Sequence, residues 1–271
     1  MIARRDRFLS LLGTRSLIMG ILNITPDSFS DGGKFFSLDA ALRQAKKLSG
    51  EGADIIDVGA ESTRPGHMPV SVEEELERLE PILGRLTESF DCPFSIDTSK
   101  ARVARRASEL GASVVNDVWG LQKDPAMADT IAETGTAAVL MHNRDGVDPD
   151  LDIITDMRRF FDTSLHLADA ANIPRAHLIL DPGIGFGKSR AQNFAALAHL
   201  ATLKDYGLPV LVGVSRKSLL AGPGEGPVDF SVVRTLAANL AAAAKGATLF
   251  RVHDVAEHAA AFKVFDAIAR P

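Results

Sequence analysis

A repeat restricts the fold of this chain more than any other feature. Eight times a short apolar run, rich in β-branched residues, ends in a polar and chemically capable residue and gives way to a segment with helical spacing. The runs occupy residues 17–24, 54–60, 94–98 and 113–118, then 137–142, 177–183, 209–215 and 248–254. Their length is that of strands buried on both faces, and the segments between them carry apolar residues at helix period. Eight βα units in 271 residues predict one α/β domain over 1–271, a closed (β/α)8 TIM barrel. Such barrels build their active sites at the C-terminal strand ends. Here those ends carry Asn23, Asp57 and Glu61, Asp97, Asn116 and Asp117, His142, Asp181, Arg216 and Lys217, and Arg251, His253 and Asp254. A polar funnel floor is expected.

Four connections exceed the usual few residues: 25–37, 61–69, 143–150 and the Gly/Pro-rich 221–227. The first three leave C-terminal strand ends, so they are expected to act as binding loops, the first two as long mobile loops. Residues 1–16 hold Arg4, Arg5, Asp6 and Arg7 without a sustained apolar stretch, and are expected to be a solvated lead-in rather than a secretory signal. Ser71 with Glu74 suggests a capping box, Ser99 an N-cap, and Gly50, Gly111, Gly135 and Gly246 fall where helices should stop.

Composition excludes several classes of function. A net charge of −5 gives no general footprint for nucleic acid or an anionic membrane, so any anion site must be local. The single cysteine, Cys92, cannot form an internal disulfide, and no stretch is apolar enough to span a bilayer; both fit a cytoplasmic protein.

The glycines in Asp181-Pro-Gly-Ile-Gly-Phe186-Gly-Lys188-Ser189 invite a phosphate-loop reading, but Pro182 stands where the first glycine of that motif is required. A flexible loop that lets backbone approach a ligand fits better. After the seventh run, Ser215-Arg-Lys217-Ser218 should open a helix or turn whose amides, with Ser218, can hold a carboxylate while Lys217 reaches into the funnel. Arg251 and His253 share a strand face and suit a phosphate or pyrophosphate. Asp97, Asn116 and Asp181 end three strands around one cavity. A buried carboxylate there can accept two parallel N–H bonds from a 2-amino-pyrimidinone edge, Asn116 supplies a donor and an acceptor, and Lys217 can donate to the ring carbonyl. Metal binding by the aspartates, or pairing of these carboxylates with Lys or Arg across the barrel mouth, are the alternatives.

Two stretches are more specific: Gly20-Ile-Leu-Asn23-Ile-Thr25-Pro-Asp-Ser-Phe29-Ser-Asp-Gly-Gly33 and Asp57-Val-Gly-Ala-Glu61-Ser-Thr63-Arg64-Pro65-Gly66. With Ser95-Ile-Asp97-Thr98, Asn116-Asp117, Met141-His142 and the segments around Asp181, Lys217 and Arg251, in order along the chain, the sequence resembles the dihydropteroate synthase family. The resemblance implies condensation of 6-hydroxymethyl-7,8-dihydropterin pyrophosphate with p-aminobenzoate to give 7,8-dihydropteroate, in folate biosynthesis. It implies that Asp97, Asn116, Asp181 and Lys217 hold the pterin, and that Asn23, Thr63, Arg64, Arg251 and His253 serve the pyrophosphate, with Asn23 helping to place Mg2+. Phe29, Pro65, Phe186 and Ser218 would line the p-aminobenzoate pocket, a sulfonamide target. Asp97, Asp181, Lys217, Arg251 and His253 are the candidate catalytic residues, and a homodimer is the implied assembly. A silent pterin-binding paralogue and a pterin-binding methyltransferase domain are the competing readings; the 23–33 loop and Arg251 with His253 argue against the second. Asn143-Arg144-Asp-Gly146 differs from the Met-Arg-Gly run associated with the family after Met-His, and Arg234 stands where a glycine commonly precedes the Ala-rich helix.

Overall fold

The computed structural model describes residues 1–24, 33–61, 70–221 and 231–269, with backbone alone at 33–37. Eight parallel strands form one sheet: β1 Leu17–Asn23, β2 Ile55–Gly59, β3 Phe94–Asp97, β4 Val114–Asp117, β5 Ala137–Met141, β6 Leu178–Asp181, β7 Leu211–Val212 and β8 Leu249–Val252. Their order, β6-β5-β4-β3-β2-β1-β8-β7, is that of a barrel opened between β6 and β7, and a parallel bridge from Leu180 to Val210 closes it there. The expected (β/α)8 barrel is the fold. Each strand falls inside its sequence run.

The helices are α1 Ile2–Leu11, α2 Gly33–Gly50, α3 Val72–Ser89, α4 Ala101–Glu109, α5 Met127–Thr134, α6 Ile153–Ala170, α7 Arg190–Ala198, α8 Ser231–Ala244 and α9 Val255–Ala269. None of the helices in the described residues is long and apolar enough to cross a membrane. The connection after β1 is shorter than the sequence suggested, because α2 starts at Gly33; its remainder, residues 62–69 and residues 222–230 lie outside the described residues.

Strand alternation divides the apolar residues between two cores. Leu17, Met19, Ile55, Val114, Ala137, Val139, Ile179, Leu211 and Leu249 fill the barrel interior, while Ile18, Leu22, Ile56, Val115, Ala138, Leu140, Leu180, Val212 and Phe250 face the helices. Phe8 of α1 joins the interior cluster at 2% exposure, so the amino-terminal helix stoppers the base of the barrel. Arg4 donates to the Thr87 carbonyl at 2.9 Å and Arg5, itself buried, to that of Gly135. The solvated lead-in is therefore corrected: one aromatic side chain with arginines beside it is enough to anchor a helix whose other face stays wet.

Local signals held at some termini and failed at one. Ser71 accepts from the Glu74 amide at 3.1 Å, Ser189 and Gln192 form a full capping box on α7, and Gly135 ends α5 in the left-handed conformation. Ser99 does not cap α4: the Ala101 amide is taken at 2.8 Å by Asp124, a partner from the next loop.

Candidate active site

The alternation that fills the barrel base with aliphatic side chains also selects the polar residues of its mouth. Continuing inward positions upward leads from Met19 to Asn23, Ile55 to Asp57, Val114 to Asn116, Ile179 to Asp181 and Leu249 to Arg251. Ser95 and Asp97 take the same positions on β3, and Asp97 stands in register with Asn116 and Gly59. Neighbours in sequence that fall on the other phase leave the site. Asp117 accepts from the Trp119 and Leu121 amides at 2.9 and 2.7 Å and shapes a turn. His142, fully buried, points into the helix layer, where its Nε2 lies 3.2 Å from Asp156 of α6 and its ring meets Phe160 edge-on at 4.9 Å. The funnel floor expected from eight strand ends thus loses the residue of its fifth.

An ion-pair network occupies the centre. Arg251 Nε donates to Asp57 Oδ2 at 2.7 Å and its Nη2 to Asp97 Oδ2 at 2.8 Å, while Asn116 Nδ2 donates to the same Asp57 oxygen at 3.1 Å. Pairing of carboxylates with arginine across the mouth, one alternative from the sequence, is present here. Asp57 is fully buried and central to the network, yet sequence reasoning placed it only in a strand-end series and gave it no role. The available signal was its phase, two residues beyond Ile55. Three acceptors, Asp57 Oδ1, Asp97 Oδ1 and Asn116 Oδ1, are buried with no hydrogen-bond partner among the described residues. Buried acceptors of this kind are uncommon away from sites that bind something polar. Burial pushes the Asp97 carboxyl up to about 7, against the pull of Arg251 and with that of Asp57.

Asp181 and Lys217 form the second polar group. Asp181 Oδ1 accepts from the Gly183 amide at 2.7 Å, and burial raises its carboxyl above the usual range while Lys217 opposes that shift. Lys217 donates to the Ile184 carbonyl, and its Nζ lies 4.5 Å from the Phe186 ring centroid. Burial of the ammonium pulls it down to about 8. Ser218 is exposed and opens a three-residue 3-10 turn, with α8 starting only at Ser231, so of the helix or turn expected after Lys217 the turn is present. Arg216, beside it, pairs with Asp254 and turns away.

His253 is held by Ser215, whose Oγ accepts from the His253 amide at 3.1 Å and lies 2.9 Å from Nδ1. Ser215 thus fixes the imidazole at Nδ1 and leaves Nε2 as the ring nitrogen it does not engage. Asn23 and Asp97 both flank Gly59: a Cβ built there would lie 3.5 Å from Asn23 Oδ1 and 3.8 Å from Asp97 Oδ2. The site therefore gathers Asn23, Asp97, Asn116, Asp181, Phe186, Lys217, Arg251 and His253 at one end of the barrel. Phe29, Thr63, Arg64 and Pro65 lie outside the described residues. No cluster of three or more His, Cys, Asp or Glu fit to hold a metal occurs among the described residues. A hard cation here would need oxygens from a ligand as well as Asn23, which is how Mg2+ usually sits on a substrate diphosphate.

Residues 19–253 match the family of pterin binding enzymes, and the chain belongs to that family. Within it, the similarity runs to dihydropteroate synthases. That of Clostridium beijerinckii is 46% identical over 263 residues, covering 96% of each chain. The crystal structure of a dihydropteroate synthase from Clostridium difficile in the presence of pteroic acid superposes with a TM-score of 0.92 at 46% identity, over 96% of this chain and 99% of that one. The Xanthomonas albilineans dihydropteroate synthase with 4-aminobenzoic acid gives 0.89 at 42% identity, over 95% and 94%.

Proposed function

We propose that this protein is a dihydropteroate synthase: it transfers the pterinylmethyl group of 6-hydroxymethyl-7,8-dihydropterin pyrophosphate to the amine of p-aminobenzoate. The observation that carries the reading is the pairing of unsatisfied, buried acceptors on Asp97 and Asn116 with Asp181 and Lys217 on one side, and Arg251 with His253 on the other. A flat ring with an amide-like edge suits the first set, and a multiply charged leaving group suits the second.

Arg251 is shared between Asp57 and Asp97. A diphosphate can draw the Nη2 side of the guanidinium from Asp97 while Asp57 keeps Nε, which leaves both Asp97 oxygens to accept pterin N–H groups. The methylene C–O bond then breaks with its electron pair going to pyrophosphate. Positive charge develops on the pterin methylene, and the Asp97 and Asp181 carboxylates stabilise it. Arg251 and His253 stabilise the departing oxygens. The arylamine nitrogen forms the new C–N bond and loses one proton to solvent or to the leaving group. Asn23 would help to hold Mg2+, which when bound neutralises charge on the leaving group. Phe186, with Lys217 above it, forms the described wall for the aryl ring, and Phe29, Pro65 and Ser218 would complete it; Thr63 and Arg64 would approach the pyrophosphate. Sulfonamides would compete there as arylamine mimics.

The working state would be a cytoplasmic homodimer. Val233 of α8 and Val264 and Ile268 of α9 are exposed on two adjacent helices, the kind of surface a second copy covers. Light scattering that gives a monomer across micromolar concentrations would remove the dimer. For the reaction, chromatographic detection of dihydropteroate from the two substrates and Mg2+ is the test. Absence of product, with binding of the pterin retained, would favour a silent paralogue; methyl transfer from methyltetrahydrofolate would favour the methyltransferase reading.

A further inference from the structure

Lys188 is buried at 6% exposure, and among the described residues its hydrogen-bond partners are carbonyl oxygens, not a carboxylate. Its ammonium donates to Gly183 O at 2.8 Å, Phe186 O at 3.1 Å and His142 O at 3.3 Å, so its three N–H groups meet three acceptors. Burying an ammonium without a bonded counter-ion is expensive, and an aliphatic residue would fill the same volume at lower cost. Burial pulls the group down to about 7, with Asp181 opposing, so what it is kept for is the three hydrogen bonds, which packing alone does not require.

Its acceptors come from the ends of two strands, His142 after β5 and the Gly183–Gly187 turn after β6. That turn is strained toward glycine: Gly183, Gly185 and Gly187 have φ of +63, +89 and +56°, and a Cβ on Gly183 would lie 1.8 Å from the His142 carbonyl oxygen. Asn193 of α7, also buried, secures the other side by accepting from the Gly185 amide at 2.6 Å. What the turn presents to the site is the Ile184 carbonyl, which receives Lys217, and the Phe186 ring beneath that ammonium. The flexible loop of the sequence reading is thus a clamped one.

We infer that Lys188 is a positioning residue: by gathering three carbonyls it fixes the 183–187 turn, and through it the Phe186 ring that receives the arylamine and the Lys217 ammonium that faces the pterin. This rests on the dihydropteroate synthase reading for its substrate, and on the geometry alone for the clamp.

The test uses full-length Lys188→Met and Lys188→Gln, with Asn193→Ala as a second release of the same turn. Steady-state kinetics should show the KM for p-aminobenzoate rising about tenfold, the loss of one charge-assisted hydrogen bond's worth of placement, with inhibition by pyrophosphate unchanged. Hydrogen exchange by mass spectrometry should accelerate in peptides spanning 182–188 and stay at the wild-type rate in β1. Where Lys188→Met does not fold, the Gln and Asn193→Ala variants carry both readouts. An unmoved arylamine KM in folded variants, or exchange that rises equally in β1 and in the turn, would overturn the positioning role. Wild-type enzyme that forms no dihydropteroate would instead fail the functional reading, leaving the exchange result to judge the clamp.

Discussion

Arg251 and Asp57 meet inside the barrel at 2.7 Å, one strand from β1 on either side, and the same carboxylate oxygen receives Asn116 at 3.1 Å. Asp57 thereby holds two site residues. It is one of the two carboxylates that pair with the partly buried Arg251 guanidinium.

Replacing Asp57 with Asn should therefore destabilise the fold by about 3 kcal/mol, because a buried ion pair that loses one partner leaves the other uncompensated. Asp97 remains to carry part of Arg251's charge, which keeps the loss from growing further. Urea denaturation checks this, and a stability equal to wild type would show that Asp57 is dispensable to the network.

Asp181→Asn and Arg251→Met should separate two subsites. The first leaves a ring N–H mispaired in a dry site, which weakens a pterin analogue by about 2–3 kcal/mol and leaves pyrophosphate inhibition nearly unchanged. The second should do the reverse. Inhibition constants for both ligands across both variants decide the matter; equal losses of both ligands in Asp181→Asn would erase the distinction.

His142 supplies a pH signature of stability. Burial pulls its imidazole down to about 3, reinforced by Lys188 and opposed by Asp156. The folded state thus binds fewer protons than the unfolded chain between the ordinary histidine value of about 6.5 and about 3. The contribution of neutral His142 is present above that upper value and is lost as pH falls toward the lower one. Chemical denaturation from pH 7 to 4 should show wild type losing stability faster than His142→Gln, and parallel curves would contradict the assignment.

Phe8→Ala should cost about 3–4 kcal/mol by opening a cavity at the barrel base, with the KM for either substrate unmoved. Thermal unfolding and kinetics on one preparation test both halves. A neutral substitution would return the amino-terminal helix to the status of a solvated segment.

The barrel, the strand limits and most of the site were legible along the chain, because a strand buried on both faces writes its own length in apolar residues and its end in polar ones. Strand phase separates Asn116, which faces inward, from its neighbour Asp117, although the sequence reading placed both, and His142, at the funnel floor. What the sequence could not hold was partnership between distant strands. Arg251 answers to Asp57 across 194 positions, Lys188 to the His142 carbonyl across 46, and the α4 amide to Asp124 instead of the adjacent Ser99. Phe8 likewise has no local periodicity that announces a barrel stopper. Each of these contacts exists because barrel closure brings remote backbone and side chains within hydrogen-bond or van der Waals range, and only the tertiary structure decides which groups arrive there together.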